Sequence, residues 1–127
     1  MTLTSIMQIM TDPEKKVILD TDVIIHFIKG ELLFELRTIL SNELIILDTV
    51  YEEVNQRRQK EAIDRFLELD NVQLVGFPDE NEYVNEYAYL RSTRGYSFGR
   101  GESACLAFAR INHDVVASSN LKDIRKY

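Results

Sequence analysis

The chain has little of what an oxidising compartment or a membrane demands. Its 127 residues include one cysteine, no tryptophan, two histidines and two prolines. One thiol cannot close an internal disulfide, so a reducing compartment fits and the cytoplasm is the expected location. Cys105 stands between Ala104 and Leu106 in a predicted buried helix with no histidine near it in sequence. It reads as a core residue rather than a nucleophile, because burial makes a thiol inert. His26 falls in the first predicted helix and His113 in a turn, and both read as structural or solvated. Residues 1–16 contain Asp12, Pro13 and Glu14 and lack the apolar core of a secretory signal. No run approaches the ~20 apolar residues of a membrane span.

What is present suits one globular domain. A length of 127 residues and an apolar fraction of 45% suffice for a real core. Acidic residues outnumber basic ones 21 to 15, for a net charge of −6. That balance argues against non-specific nucleic-acid binding over the whole surface, though not against a local basic patch. Residues 1–14 read as a loosely held leader, and 15–127 as the domain.

Apolar runs alternate with helical patterns. Lys16–Asp20 and Leu44–Leu47 are apolar without alternation, the mark of parallel strands covered on both faces. Val72–Phe77 reads as a third strand nearer an edge, since Gln73 and Gly76 interrupt it, and Val115–Ala117 as a fourth. Between them, helices are predicted over Asp22–Lys29 and, past Gly30, over Glu31–Leu40. Another starts at Asp48 or Thr49, where Thr49-x-x-Glu52 fits a capping box. It runs toward Arg58 and the stripe of Ile63, Phe66 and Leu67. A helix from Pro78–Asp79 carries Tyr83, Tyr87 and Leu90. Arg91–Gly101 is the least regular stretch. The helix from Gly101 to Asn112 is apolar nearly all round and so buried, and Asn120–Tyr127 starts a last one. The expected fold is α/β: a three-layer sandwich whose central, mostly parallel sheet of about four strands is flanked by helices.

The acids cluster by position in this pattern. Asp20 and Asp22 follow the first run, Glu53 opens the helix after the second, and Glu102 opens the buried helix. The fourth run ends in Ser118–Ser119–Asn120. In a parallel sheet these groups share the carboxyl edge, where open α/β sheets build their sites. Acids gathered there repel one another unless a cation sits among them, which suggests a divalent metal. Each has a plainer role available: Asp20 as a strand end, Asp22 as a helix N-cap, and Glu53 and Glu102 as first-turn partners of a helix dipole. Glu52 has the capping box, which leaves Glu53 without a local task. Glu102 heads an apolar stripe, where an unpaired carboxylate is costly.

Three blocks together resemble the motifs of the PIN domain family, a compact α/β fold of metal-dependent nucleases. Val17-Ile-Leu-Asp-Thr-Asp-Val-Ile24 is similar to its opening strand with a DTN or DTD ending. Val50-Tyr-Glu-Glu-Val54 is similar to the block in which a Glu precedes an aliphatic residue. Gly99-Arg-Gly-Glu-Ser-Ala-Cys-Leu-Ala-Phe-Ala109 is similar to the third acidic motif, where Gly-x-Gly-Asp/Glu leads into an Ala-rich helix. The resemblance implies catalytic and metal-binding roles for Asp20, Glu53 and Glu102, with Mg²⁺ or Mn²⁺ as the ion and RNA as the substrate. The family has a further Asp after its fourth strand. Here Asn120 stands in its place, an oxygen ligand without charge, and Asp123 one turn on is an alternative ligand. The family's last strand and helix are not expected within 15–127. VapC-like toxins of prokaryotic toxin–antitoxin pairs belong to this family, so the resemblance also implies an antitoxin protein as partner, and a homodimer.

A polyanion must still approach an acidic site. Arg91, Arg94 and Arg100, with Tyr96 and Phe98 among them, suit a single strand by phosphate contact and base stacking, and Ser118 is placed with them as a substrate contact. Lys122, Arg125 and Lys126, like Arg57, Arg58 and Lys60, read equally well as solvated surface. Two other readings stay open. One is a PIN domain with a lapsed site that binds RNA or protein without cutting. The other is a haloacid-dehalogenase-like phosphatase with Asp20 as nucleophile.

Overall fold

The computed structural model describes residues 14–92 and 98–117. Among these residues, four strands form one sheet: β1 (Val17–Leu19), β2 (Leu44–Leu47), β3 (Val72–Val75) and β4 (Val115–Ala117). Their order is β3-β2-β1-β4 and every pairing is parallel. Val17 and Ile18 face Leu44 and Ile45 on one side; Val17, Ile18 and Leu19 face Val115, Val116 and Ala117 on the other. Successive side chains in a strand point to opposite faces. Every residue of β1 and β2 is buried, so both faces of the sheet are covered, as the unbroken apolar runs require. β3 is the edge strand expected of it, ending at Val75, with Gln73 and Leu74 exposed.

Among the described residues, six helices connect and cover the strands: α1 (Thr21–Lys29), α2 (Leu33–Ile39), α3 (Asp48–Glu53), α4 (Arg57–Phe66), α5 (Asn81–Ser92) and α6 (Arg100–Asn112). α1, α2 and α4 pack on one another, α5 on α6, and α6 on β1 and β4. The core joins Ile18, Leu19, Phe27, Leu36, Ile45 and Phe66 in one buried cluster. Among the described residues, no helix is long and apolar enough to cross a membrane.

Several local details differ from the sequence reading. α1 stops at Gly30, but the left-handed residue is Glu31, at φ 58°. Leu32 N–H reaches back to Phe27 O at 2.8 Å, closing the turn so that α2 is separate instead of continuous. The capping box at Thr49 does not form: α3 begins at Asp48, with no side-chain cap. Asp48 instead accepts from Thr49 N–H at 2.8 Å and from Phe77 N–H at 3.0 Å, tying the end of β2 to the loop after β3. Nor does that helix merge with the next. The chain is extended at Val54, and Gln56 caps α4 by accepting from Gln59 N–H at 3.0 Å. Arg91 and Ser92 belong to α5, and Arg100 and Gly101 to α6, so both ends of the stretch read as irregular are helical.

Strand order reverses at β1: β2 and β3 lie to one side and β4 to the other. Such a switch point opens a crevice at the carboxyl ends of the strands. α6 leads into β4, so it runs against the strand direction and begins at that same edge.

Candidate functional site

Asp20 leaves β1 with extended backbone and caps α1, its Oδ1 accepting from Thr21 N–H at 2.7 Å. Its own N–H donates to Ala117 O at 3.1 Å, and its carbonyl accepts from Ile24 N–H at 3.1 Å. The side chain is thereby set between β1, β4 and α1, and the residue is only 3% exposed. The helix starts one residue earlier than the pattern indicated. Asp20, not Asp22, is therefore the N-cap, and Asp22 is an exposed residue of the first turn.

Glu53 reaches the same place by another route. After β2 the chain makes six helical residues, about 9 Å of rise, and Glu53 is the last of them. That corrects its reading as a first-turn residue: its own helix dipole disfavours a carboxylate there. Its partners come from elsewhere. Thr21 Oγ1 donates to Glu53 Oε1 at 2.6 Å, and Gly101 N–H donates to Glu53 Oε2 at 3.3 Å. Gly101 is the second residue of α6, so its N–H has no partner within the helix, and Glu53 complements the dipole of α6. A Cβ at Gly101 would overlap Glu53 Oε1 and stand 2.9 Å from its Cδ and 3.2 Å from Thr21 Oγ1. The absent side chain is what lets the carboxylate approach.

Glu102 follows on α6 and is half-buried. The turn below it is anchored by Ser103, whose N–H donates to Gly99 O at 2.8 Å and whose hydroxyl donates to Phe98 O at 3.3 Å. Asp20, Asp22, Glu53 and Glu102, with Thr21, Gly99 and Gly101 between them, line one cleft of about 340 Å³. Cys105 lies beneath it, fully buried, with Sγ 3.9 Å from Leu19 O. Burial pushes its thiol well above the usual range, and the negative fields of Asp20, Glu53 and Glu102 push it further. The thiol thus senses three acids that are far apart in the chain. It is the buried core residue expected.

The donors are hard carboxylate oxygens, the type that suits Mg²⁺ or Mn²⁺, and the space that a Cβ at Gly101 would fill is taken by one of them, the Glu53 carboxylate. The residues present fit such an ion in type and number. Among the described residues, however, no three His, Cys, Asp or Glu side chains lie close enough to hold a metal as they stand. Like charges spread apart, and Glu53 is drawn to Thr21 and Gly101.

Arg100 is exposed at the cleft's flank, where it lines a smaller hollow of about 80 Å³ with Thr49, Glu52 and Glu53. Arg91 is exposed on the last turn of α5 and donates to Phe98 O at 3.4 Å. Arg57 pairs with Glu61 at 3.2 Å, and Lys60 lies 3.8 Å over the Tyr51 ring. Arg94, Tyr96, Ser118, Asn120, Lys122, Asp123, Arg125 and Lys126, and the helix read over Asn120–Tyr127, lie outside the described residues. The residues that sequence reasoning missed are Thr21 and Gly101. Both stood inside quoted motifs, but nothing in the sequence shows which acid they would meet.

No model of a known protein family matches the sequence. No curated protein matches it either. Solved structures do. The structure of VapBC-1 from nontypeable Haemophilus influenzae superposes with a TM-score of 0.64 at 18% identity, over 87% of this chain and 90% of that one. A toxin–antitoxin complex from Klebsiella pneumoniae superposes with a TM-score of 0.60 at 16% identity, over 84% of this chain and 88% of that one. At such identities the likeness is one of fold: a four-stranded parallel sheet flanked by helices, shared with proteins from toxin–antitoxin complexes.

Proposed function

We propose that this chain is a metal-dependent endoribonuclease of PIN type and the toxin of a toxin–antitoxin pair. The observation that carries the reading is the meeting of Asp20, Glu53 and Glu102 in one cleft at the carboxyl edge of the sheet. They arrive from three separate parts of the chain, and the field of each reaches the same buried thiol. No helix packing requires three acids to gather there, and their mutual repulsion makes the arrangement costly without a cation. The shared fold with proteins of toxin–antitoxin complexes supports the same reading and suggests an antitoxin protein as partner.

Asp20, Glu53 and Glu102 would hold Mg²⁺ or Mn²⁺, with Asn120 or Asp123 completing the set. When bound, such an ion makes water more acidic and offsets charge on an attacked phosphate. Asp20 is the fixed donor, because burial and capping leave it little freedom. Glu53 and Glu102 adjust around it. Arg100 would attract the RNA backbone at the cleft's flank, and Arg91, Arg94 and Ser118 are the other proposed substrate contacts. Hydrolysis adds water across one P–O bond of the RNA. A homodimer is the proposed assembly.

A second reading, a lapsed domain that binds RNA or protein without cutting, draws on the side chains not converging as they lie and on the amide at Asn120. RNA cleavage in Mg²⁺ or Mn²⁺ separates the two. The nuclease reading expects cleavage that stops with EDTA and falls at least about a hundredfold in Asp20→Asn, since one positioned metal-site group is worth roughly that much. Asn caps a helix as well as Asp does, so the variant should fold. Binding without cleavage by the natural chain would favour the lapsed domain.

A further inference from the structure

We infer that Thr21 and Gly101 are positioning residues that set how tightly the cleft takes up a divalent cation, by clamping the Glu53 carboxylate between two donors. The inference rests on the metal-dependent reading above.

Glu53 is the acid whose own backbone does least to place it. Asp20 is buried and fixed by its capping bonds. Glu102 rises from a 13-residue helix anchored through Ser103. Glu53 ends a six-residue helix and is exposed. A free Glu side chain has many rotamers to lose, and Asp20, Asp22 and Glu102 repel it from the cleft. What opposes both effects is the pair of donors. Thr21 lies 32 positions before Glu53 and Gly101 lies 48 after it. The hydroxyl bond, at 2.6 Å, has the length of a charge-assisted contact. The amide belongs to a buried helix start and cannot swing away. A carboxylate that has accepted one bond at each oxygen keeps further lone pairs, so the clamp leaves Glu53 able to accept from an ion or its waters. Thr21 is also the residue that follows the strand-end Asp. The same short segment therefore supplies the firm donor and steadies the mobile one.

The test is Mn²⁺ titration of the full chain by calorimetry or Mn²⁺ electron paramagnetic resonance. Thr21→Val keeps the shape and removes the donor. It should weaken Mn²⁺ uptake about tenfold, the effect of losing one bond to a charged group, and Thr21→Ser should restore uptake to within about threefold. In a Glu53→Gln background, Thr21→Val should change uptake by less than about twofold, because residues that act through one another are not additive. Gly101→Ala should weaken uptake from the opposite side of the clamp, and it supplies the test should Thr21→Val not fold. Natural uptake in either Thr21→Val or Gly101→Ala, or full additivity of Thr21→Val with Glu53→Gln, overturns the clamp and leaves the metal reading standing. A natural chain that takes up no Mn²⁺ in an Asp20-dependent way overturns the metal reading, and the clamp with it.

Discussion

Replacing Gly101 by alanine sets two effects of similar size against each other. Alanine is favoured over glycine inside a helix by about 0.8–1.0 kcal/mol. Gly101 is the second residue of α6 and buried, so a large part of that gain should be available. Against it, the new Cβ would occupy the position of Glu53 Oε1 and crowd Thr21 Oγ1 at 3.2 Å. The nearest obstacle is the far end of a side chain, which can rotate out toward solvent. What is lost is the pair of bonds from Thr21 and Gly101. A bond to a charged group nets about 1.5–3 kcal/mol when buried, but Glu53 is exposed. Screening leaves about 1 kcal/mol for the pair. Gain and loss nearly cancel, so metal-free stability should change by no more than about 1 kcal/mol, or about 3–5 °C in Tm for a domain of this size. Thermal unfolding in EDTA reads this directly. Mn²⁺ uptake, measured on the same sample, should fall about tenfold. A metal-free loss beyond about 3 kcal/mol would mean that rigid backbone, not a movable carboxylate, meets the Cβ. A full helix-propensity gain with uptake unchanged would mean that Glu53 does not occupy the space beside Gly101 at all.

Two other outcomes follow from the same packing. Below about pH 8.5, Cys105 is protonated in both the folded and unfolded chain and contributes no pH dependence. Above it, the unfolded chain gives up a proton that the folded chain keeps, because burial and then Asp20, Glu53 and Glu102 raise the folded thiol. Stability should fall by up to about 1.4 kcal/mol per pH unit until the folded pKa is reached. Urea unfolding across this range should show that slope in the natural chain and lack it in Cys105→Ala; equal slopes would contradict the buried, acid-facing thiol. Ile18 is wholly buried in central strand β1, so Ile18→Ala should cost about 2–5 kcal/mol in urea unfolding. A loss under about 1 kcal/mol would place β1 outside the core.

The sheet was readable in the sequence because a parallel strand covered on both faces leaves an unmistakable mark. Val17–Leu19 and Leu44–Leu47 are apolar at every position, and Gln73 marks β3 as an edge. The shared cleft was readable for the same reason: once strand ends are known, parallel topology brings Asp20, Glu53 and Glu102 to one side. Hydrogen-bond choices were not readable. Asp48 matches a helix cap, yet it serves the loop at Phe77, a tertiary partner that no local pattern reveals. Asp20 and Asp22 both suit an N-cap, and where the helix starts, at Thr21 rather than two residues later, decides between them. Thr21 and Gly101 stood in view without a role, because their partner is Glu53, far from each of them in the chain. The left-handed turn fell on Glu31 rather than on neighbouring Gly30, an outcome set by the bond from Leu32 N–H to Phe27 O.

The most direct test of the metal reading is anomalous diffraction from a crystal of the full chain grown with Mn²⁺. The prediction is one strong peak in the cleft of Asp20, Glu53 and Glu102, lost in Asp20→Asn crystals grown under the same conditions. A fully occupied Mn²⁺ elsewhere on the chain, with that cleft holding only water, would contradict it.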